Sequence, residues 1–285
     1  MLLWSVVTCF ALVGLSSTAP APSKWINLSY KFDNTSIYWP GSTRFKHALV
    51  FQGHKPDYYY SMFDISASEH GGTHIDAPIH FAENKWALDE IPLDTLIGDA
   101  VVVDMKAKVA NDSDAQLMPS DLEAWERQHG RIPDDSILLL NTGWGKYWPD
   151  PKRYLGTDTL NTSLLHFPGM HPDAAKWLVD NRKIKMFGID TPSLDYGQSV
   201  KFQTHVTLFT QNIPGLENVA NLDKLPTKGA VVYAAPMFIA GGSGGPCKVF
   251  ATIKKDGVSG AVDTSMHPYR ALYFGLISVV FALIF

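Results

Sequence analysis

His70-Gly71-Gly72-Thr73-His74-Ile75-Asp76-Ala77-Pro78-Ile79-His80-Phe81 places three histidines and a carboxylate within one short stretch. Imidazole and carboxylate are the donors that borderline divalent cations such as zinc or manganese take from proteins. His70, His74, Asp76 and His80 offer four of them, at spacings of four, two and four. A helix would bring His70 and His74 onto one face. However, Gly71 and Gly72 raise the cost of a helix and Pro78 removes a backbone donor. The stretch therefore reads as a loop leaving a strand, with glycines that let the backbone fold closely round an ion. The other reading is a polar loop whose histidines hydrogen-bond one another.

Just upstream, residues 58–65 are an aromatic, β-prone run that would deliver the chain to this loop, and a strand feeding a ligand loop supplies rigidity. Residues 25–30 alternate as a strand would, and Ile37-Tyr38-Trp39-Pro40-Gly41 runs into a Pro-Gly turn. Trp39 there either walls a pocket for a planar substrate or simply packs. Downstream, residues 100–104 and 137–140 read as short buried strands. Between them, Pro119-Ser120-Asp121-Leu122-Glu123 opens a helix capped through Ser120 and Glu123, which ends near Gly130. His171-Pro172-Asp173 precedes a second helical pattern, and residues 186–189 are a strand again. This alternation predicts an α/β domain, with spacing too irregular for a strict βαβ repeat.

His205 and Glu217 form a second group of ligand-type residues, with Pro214-Gly215 turning the chain between them. Alone, His205 would pass for a satisfied core histidine. Together with the first loop, the pair completes a set of three histidines and two carboxylates, enough for one metal or for two bridged by a carboxylate. Gly241-Gly242-Ser243-Gly244-Gly245 matches the Gly-x-Ser-x-Gly turn of serine hydrolases. Pro246 and a β-prone run over residues 247–253 follow where a helix should begin, so a serine nucleophile is not expected. The glycines read as a hairpin or a close approach of backbone to ligand.

With 285 residues, 46% of them hydrophobic, the chain can bury a full core in one domain. Its net charge of −4 and lack of a basic run argue against nucleic acid and favour a small-molecule partner. Residues 2–15 are apolar, too short to span a bilayer, and followed by Ser16-Ser17-Thr18-Ala19, which reads as a secretory signal peptide over residues 1–19. Asn-x-Ser/Thr sequons at Asn27, Asn34, Asn111 and Asn161 fit a glycoprotein on that route. Residues 259–261 are small, 262–270 a polar spacer and 271–285 uncharged, the order of a GPI-anchor signal, with a membrane tail or a buried segment as rivals. The expectation is a secreted, surface-held protein with its catalytic domain over residues 22–258 and a membrane attachment through the C-terminal anchor. Cys9 lies in the leader and Cys247 is left alone, so no intramolecular disulfide is expected.

The pattern His70-x-Gly72-Thr73-His74-x-Asp76-x-Pro78-x-His80 resembles the signature loop of the metal-dependent cyclase family, which includes bacterial-type kynurenine formamidases and isatin hydrolases. The likeness continues through Trp39-Pro40-Gly41, Gly188-Ile189-Asp190-Thr191-Pro192-Ser193-Leu194-Asp195, and His205 with Glu217. It implies a swivelling β/β/α single domain with a compact barrel-like mixed sheet, commonly in homo-oligomers. It also implies one or two divalent metals, zinc or manganese, per subunit. By the same resemblance His70, His74 and Asp76 hold one metal, while Asp76, His205 and Glu217 hold or share a second. His80 is then the acid/base, and Trp39 touches the substrate. The implied activity is hydrolysis of a non-peptide amide. That is an arylformamidase step on N-formyl-L-kynurenine in tryptophan breakdown, or opening of an isatin-type cyclic amide. Asp195-Tyr196-Gly197-Gln198-Ser199 and Gly241 to Pro246 look closer to the isatin-hydrolase branch. A surface protein that only binds ligand would tend to have lost a ligand residue or the acid/base, and here all six positions are filled.

Overall fold

The apolar runs Val101-Val102-Val103, Leu138-Leu139-Leu140 and Met186-Phe187 form adjacent parallel strands at the centre of the molecule. The computed structural model describes residues 24–253. Its strands are β1 (Lys24–Asn27), β2 (Lys46–His54), β3 (Tyr59–Ser66), β4 (His74–Asp76), β5 (Ile97–Asp104), β6 (Gln116–Leu117), β7 (Ile137–Asn141), β8 (Gly169–Met170), β9 (Met186–Ile189), β10 (Gly215–Glu217), β11 (Ala230–Pro236) and β12 (Gly244–Ile253). The α-helices are α1 (Lys106–Val109), α2 (Pro119–His129), α3 (Pro151–Leu155), α4 (Pro172–Asn181) and α5 (Gln203–Phe209). The main sheet runs β1-β12-β11-β5-β7-β9-β10-β4, and a further pairing of β4 with β12 closes it, so that seven strands make a ring and β1 joins through β12. Strands β5, β7, β9 and β10 are parallel, and the other ring pairings are antiparallel. This is the mixed α/β domain with a barrel-like sheet that the resemblance implies.

Strand periodicity explains how the ring is filled. Successive side chains point to opposite faces, so Ala100, Val102, Ile137, Leu139 and Met186 pack into one core with Ile75, Leu216, Val232 and Val249. Val101, Val103, Leu138, Leu140 and Phe187 pack into the other, against Leu122 and Trp125 of α2, Leu178 of α4 and Phe209 of α5. Buried on both faces, these central strands read as continuous apolar runs rather than as alternation.

Several expectations shift. The first long helix is capped two residues earlier than Ser120 and Glu123 suggest: Pro119 takes the first helical position, and Met118 N donates to Asp121 Oδ2 at 2.7 Å. The aromatic run at 58–65 is a strand, as expected, but β3 pairs only with β2 and lies outside the ring. The ligand stretch is not wholly a loop, because residues 74–76 form β4, which is bonded on both sides. Cys247 is free and buried, and burial pushes its thiol up, which keeps it an inert core side chain. The proposed leader and anchor segments, residues 1–19 and 259–285, lie outside the described residues. Among the described residues no helix is long and apolar enough to cross a membrane.

Candidate active site

The register of β4 assembles the site. His74 lies opposite Glu217 of β10, and Asp76 lies opposite Gly215 of β10 and Gly244 of β12. His74 and Asp76 therefore share one face, while Ile75 between them faces the inner core. His205 comes from the first turn of α5. His70, on the approach to β4, completes the group. The two clusters read in the sequence are thus one cluster in space, forming two overlapping sets: His70, His74 and Asp76, and Asp76, His205 and Glu217.

Asp76 sits between the histidines. Its Oδ1 is 2.6 Å from His70 Nδ1 and 3.2 Å from His74 Nε2, and its Oδ2 is 3.4 Å from His205 Nε2. Glu217 Oε1 lies 3.0 Å from His205 Nε2 and also accepts from Leu194 N at 3.0 Å. Glu217 Oε2 lies 3.3 Å from His74 Nε2.

This donor set fits a divalent cation. Two carboxylates are buried within one small volume, and buried charges need a counter-charge. His74 Nε2, although close to both carboxylates, is buried without a hydrogen-bond partner. Burial alone would pull its imidazole down, but Asp76 and Glu217 outweigh that and hold it up at about 10. His205 is likewise raised by Asp195, Asp76 and Glu217 against the effect of burial. Ligation requires the neutral ring, so a metal held by the same carboxylates would take the place of the proton they favour. Nitrogen and oxygen donors without cysteine suit zinc or manganese.

His80 stands outside both sets. Its ring stacks on His70 with centroids 3.9 Å apart and borders the same cavity. Burial, opposed by Asp76, holds it down to about 4, so it is an unprotonated acceptor at neutral pH. The cavity holds about 250 Å³ and is walled by Trp39, Phe81 and Phe202. Trp39 contacts Phe167 and Phe202 edge-on, so it packs and at the same time lines the cavity.

Sequence reasoning missed two supporting residues. Asp195 Oδ2 lies 2.6 Å from His205 Nδ1, fixing the ring's orientation. Its Oδ1 accepts from Thr204 N and its Oδ2 from His205 N at the start of α5. Ser243, read only as a decoy nucleophile, has its Oγ 2.8 Å from His70 Nε2 and donates to Glu69 Oε2 at 2.6 Å. The only signals for them were motif positions without a role. The adjoining glycines do mark a close approach, since a Cβ on Gly244 would lie 2.5 Å from Ile75 O and 2.6 Å from the His70 ring.

Comparison with known proteins gives three concordant findings. A family model, Cyclase, matches residues 26–196. An isatin hydrolase of Roseibium aggregatum is 35% identical over 66% of this chain and 73% of its own, and a kynurenine formamidase of Bacillus cereus is 26% identical over 79% and 96%. In structure, isatin hydrolase A from Labrenzia aggregata, bound to benzyl benzoate, superposes with a TM-score of 0.74 at 32% identity, covering 82% of this chain and 94% of that one.

These bacterial relatives correct the expectation of a secreted, glycosylated enzyme at the cell surface and attached to the membrane by a C-terminal anchor. The Bacillus enzyme is matched along 96% of its own length by 79% of this chain, and among the described residues no helix is long and apolar enough to cross a membrane. The sequon signal also has a structural source. Asn27 Oδ1 accepts from Ser29 N, and Asn161 Oδ1 accepts from Ser163 N, two residues on in each case. Asn-x-Ser is thus spelling an Asx turn at both places. Asn34 and Asn111 are merely exposed.

Proposed function

Because the chain belongs to the Cyclase family and is a hydrolase of non-peptide carbon–nitrogen bonds, we propose that it cleaves aryl amides flanked by a ketone, with an isatin-type ring amide preferred. The observation that carries this reading is the cavity beside the ligand cluster. At about 250 Å³ it is smaller than the roughly 300–1,000 Å³ of drug-sized ligand sites. Its walls are aromatic, and none of its described lining residues is a lysine or arginine that could pair the α-carboxylate of N-formylkynurenine. A compact, uncharged bicycle suits it better. N-Formyl-L-kynurenine is the second reading, favoured by the likeness to kynurenine formamidase.

In this proposal His70, His74 and Asp76 hold one divalent ion, and Asp76, His205 and Glu217 hold or share a second. Zinc or manganese held there supplies Lewis acidity, lowering the pKa of a water and polarising the amide carbonyl. His80, neutral and facing the cavity, accepts the proton of the attacking water and returns it to the departing nitrogen. Trp39, Phe81 and Phe202 orient the flat ring and exclude bulk water. Asp195 keeps the His205 ring turned toward Glu217 and Asp76.

The test is turnover of isatin and of N-formyl-L-kynurenine by purified protein of measured metal content, before and after chelation. Ring opening of isatin that disappears with chelation and returns with zinc or manganese is expected. Unchanged activity in the metal-free protein would refute the mechanism, and exclusive turnover of N-formyl-L-kynurenine would reverse the substrate order.

A further inference from the structure

Among the described residues, six that are not glycine have a positive φ. Five of them, Asn84, Asp135, Asn212, Asn218 and Asn221, are of the two types whose short polar side chains tolerate the left-handed region. The sixth is Phe202, at φ 47° and ψ 42°. For a bulky side chain that conformation is a genuine outlier, and such strain persists only where the surroundings hold it.

Phe202 breaks a second local rule. It occupies the cap position of α5, where serine, threonine, aspartate or asparagine would bond the first free amides, and it makes no side-chain cap bond. Asp195 supplies the cap from outside the helix: its Oδ1 accepts from Thr204 N at 3.1 Å and its Oδ2 from His205 N at 3.2 Å. Position 202 is thereby free to carry an aromatic ring. That ring is half-buried and sits among other rings of the cavity wall, with centroids 5.1 Å from Phe81, 6.0 Å from Trp39 and 6.0 Å from His205. Ser199 holds the backbone there, since its Oγ accepts from Phe202 N at 3.2 Å and donates to Asp195 Oδ1 at 3.1 Å. Between the two residues lies Val200, 84% exposed, so little packing secures this bend. One carboxylate thus anchors His205 directly, 2.6 Å from its Nδ1, and the aromatic wall through Ser199.

We propose that Ser199 is a positioning residue whose hydroxyl ties Phe202 to Asp195, and so sets an aromatic wall that selects planar, aryl-bearing ligands. The proposal rests on the reading of the cavity as a site for aryl amides. A ring fixed in place before the ligand arrives loses less freedom on binding, and stacked or edge-on aromatic contacts add attraction beyond the area they bury. The strained backbone is the cost of that placement, offset by the tether. An asparagine at position 202 would suit both the left-handed backbone and the helix cap, but would leave the cavity without this wall.

Two acids that differ only in the ring allow a test without turnover. Phenylglyoxylate and cyclohexylglyoxylate carry the same keto acid, one on a planar and one on a saturated ring. Both are titrated calorimetrically into metal-loaded full-length protein, as wild type, Ser199→Ala, Ser199→Thr and Phe202→Asn. The wild type is expected to favour phenylglyoxylate by about fivefold. Ser199→Ala should remove most of that preference by weakening phenylglyoxylate alone, with metal affinity unchanged because Asp195 still holds His205, and Ser199→Thr should restore it. Phe202→Asn should lose the preference with a thermal midpoint equal to or above wild type. Equal weakening of both acids, a loss of metal affinity in Ser199→Ala, no restoration by threonine, a lowered midpoint in Phe202→Asn, or no wild-type preference overturns the proposal. Isatin and N-formylkynurenine turnover is measured alongside. The expected binding ratios without hydrolysis of either compound would defeat the catalytic reading and leave the role of Ser199 standing. Hydrolysis with unaltered ratios would do the reverse.

Discussion

Strands β3 and β4 are separated by a few residues and could hardly differ more. Tyr59 to Ser66 has a clear local mark of a strand, its aromatic residues, yet it pairs only with β2 and is exposed along its whole length. Leu49, Tyr59 and Ile65 in this hairpin are 59%, 53% and 57% exposed. His74 to Asp76 has few such marks, yet each of its residues is buried and it bonds to strands on both sides. Local propensity makes the hairpin, while long-range register makes the site.

Replacing Asp76 by Ala attacks that contrast at its strongest point, because this carboxylate belongs to both ligand sets. Loss of bound metal by elemental analysis, together with loss of detectable turnover, is expected. Surviving turnover would separate β4 from the chemistry. Asp195→Asn preserves shape but weakens the hold on His205, and a drop of roughly 10–100-fold in metal affinity or activity is expected from titration and kinetics. Gly71→Ala forces a methyl against the Tyr38 ring and should lower unfolding stability by about 1–3 kcal/mol in a denaturant titration.

The helix layer offers a pH-dependent intermediate. Hydrogen bonding to Arg182 holds the Glu126 carboxyl below its ordinary 4.5. The unfolded chain takes up that proton first, so this stabilisation is complete above about 4.5 and lost as pH falls below it. Arg182→Gln should cost up to about 1 kcal/mol at neutral pH and less near pH 3, as read from unfolding curves. Smallest of all, Leu49→Ser or Tyr59→Ser in the exposed hairpin should shift stability by no more than about 0.5 kcal/mol. A loss as large as that of Gly71→Ala would erase the distinction between the two strands.

Legibility in the sequence follows the same division. Strand β9 falls on residues 186–189 as read, and β5, β7 and β12 sit on apolar runs that contain their own signal. Strand β4 did not show as a strand because three residues carry no periodicity, and its partners begin at Gly215 and Gly244. Helix α5, with seven residues, is too short to display an apolar stripe, so His205 could be recognised as a ligand type but not placed. The donor character of His70, His74, Asp76, His205 and Glu217 was visible in residue types and spacing. Ser243 and Asp195 act through neighbours distant in sequence, so their roles became visible only once the ring was closed.

Closure of the ring by β4 and β12 also has a consequence for the order of events during synthesis. His70, His74 and Asp76 leave the ribosome early, while the strand that seats them ends at Ile253. At about 5–20 residues per second, the loop waits on the order of ten seconds for its partner. A divalent ion met during that interval would be held by intrinsic affinity alone, a ranking that places copper above zinc and manganese. Selection by geometry can start only when the last strand arrives, so a metal met before that point would be held without the selectivity of the closed site.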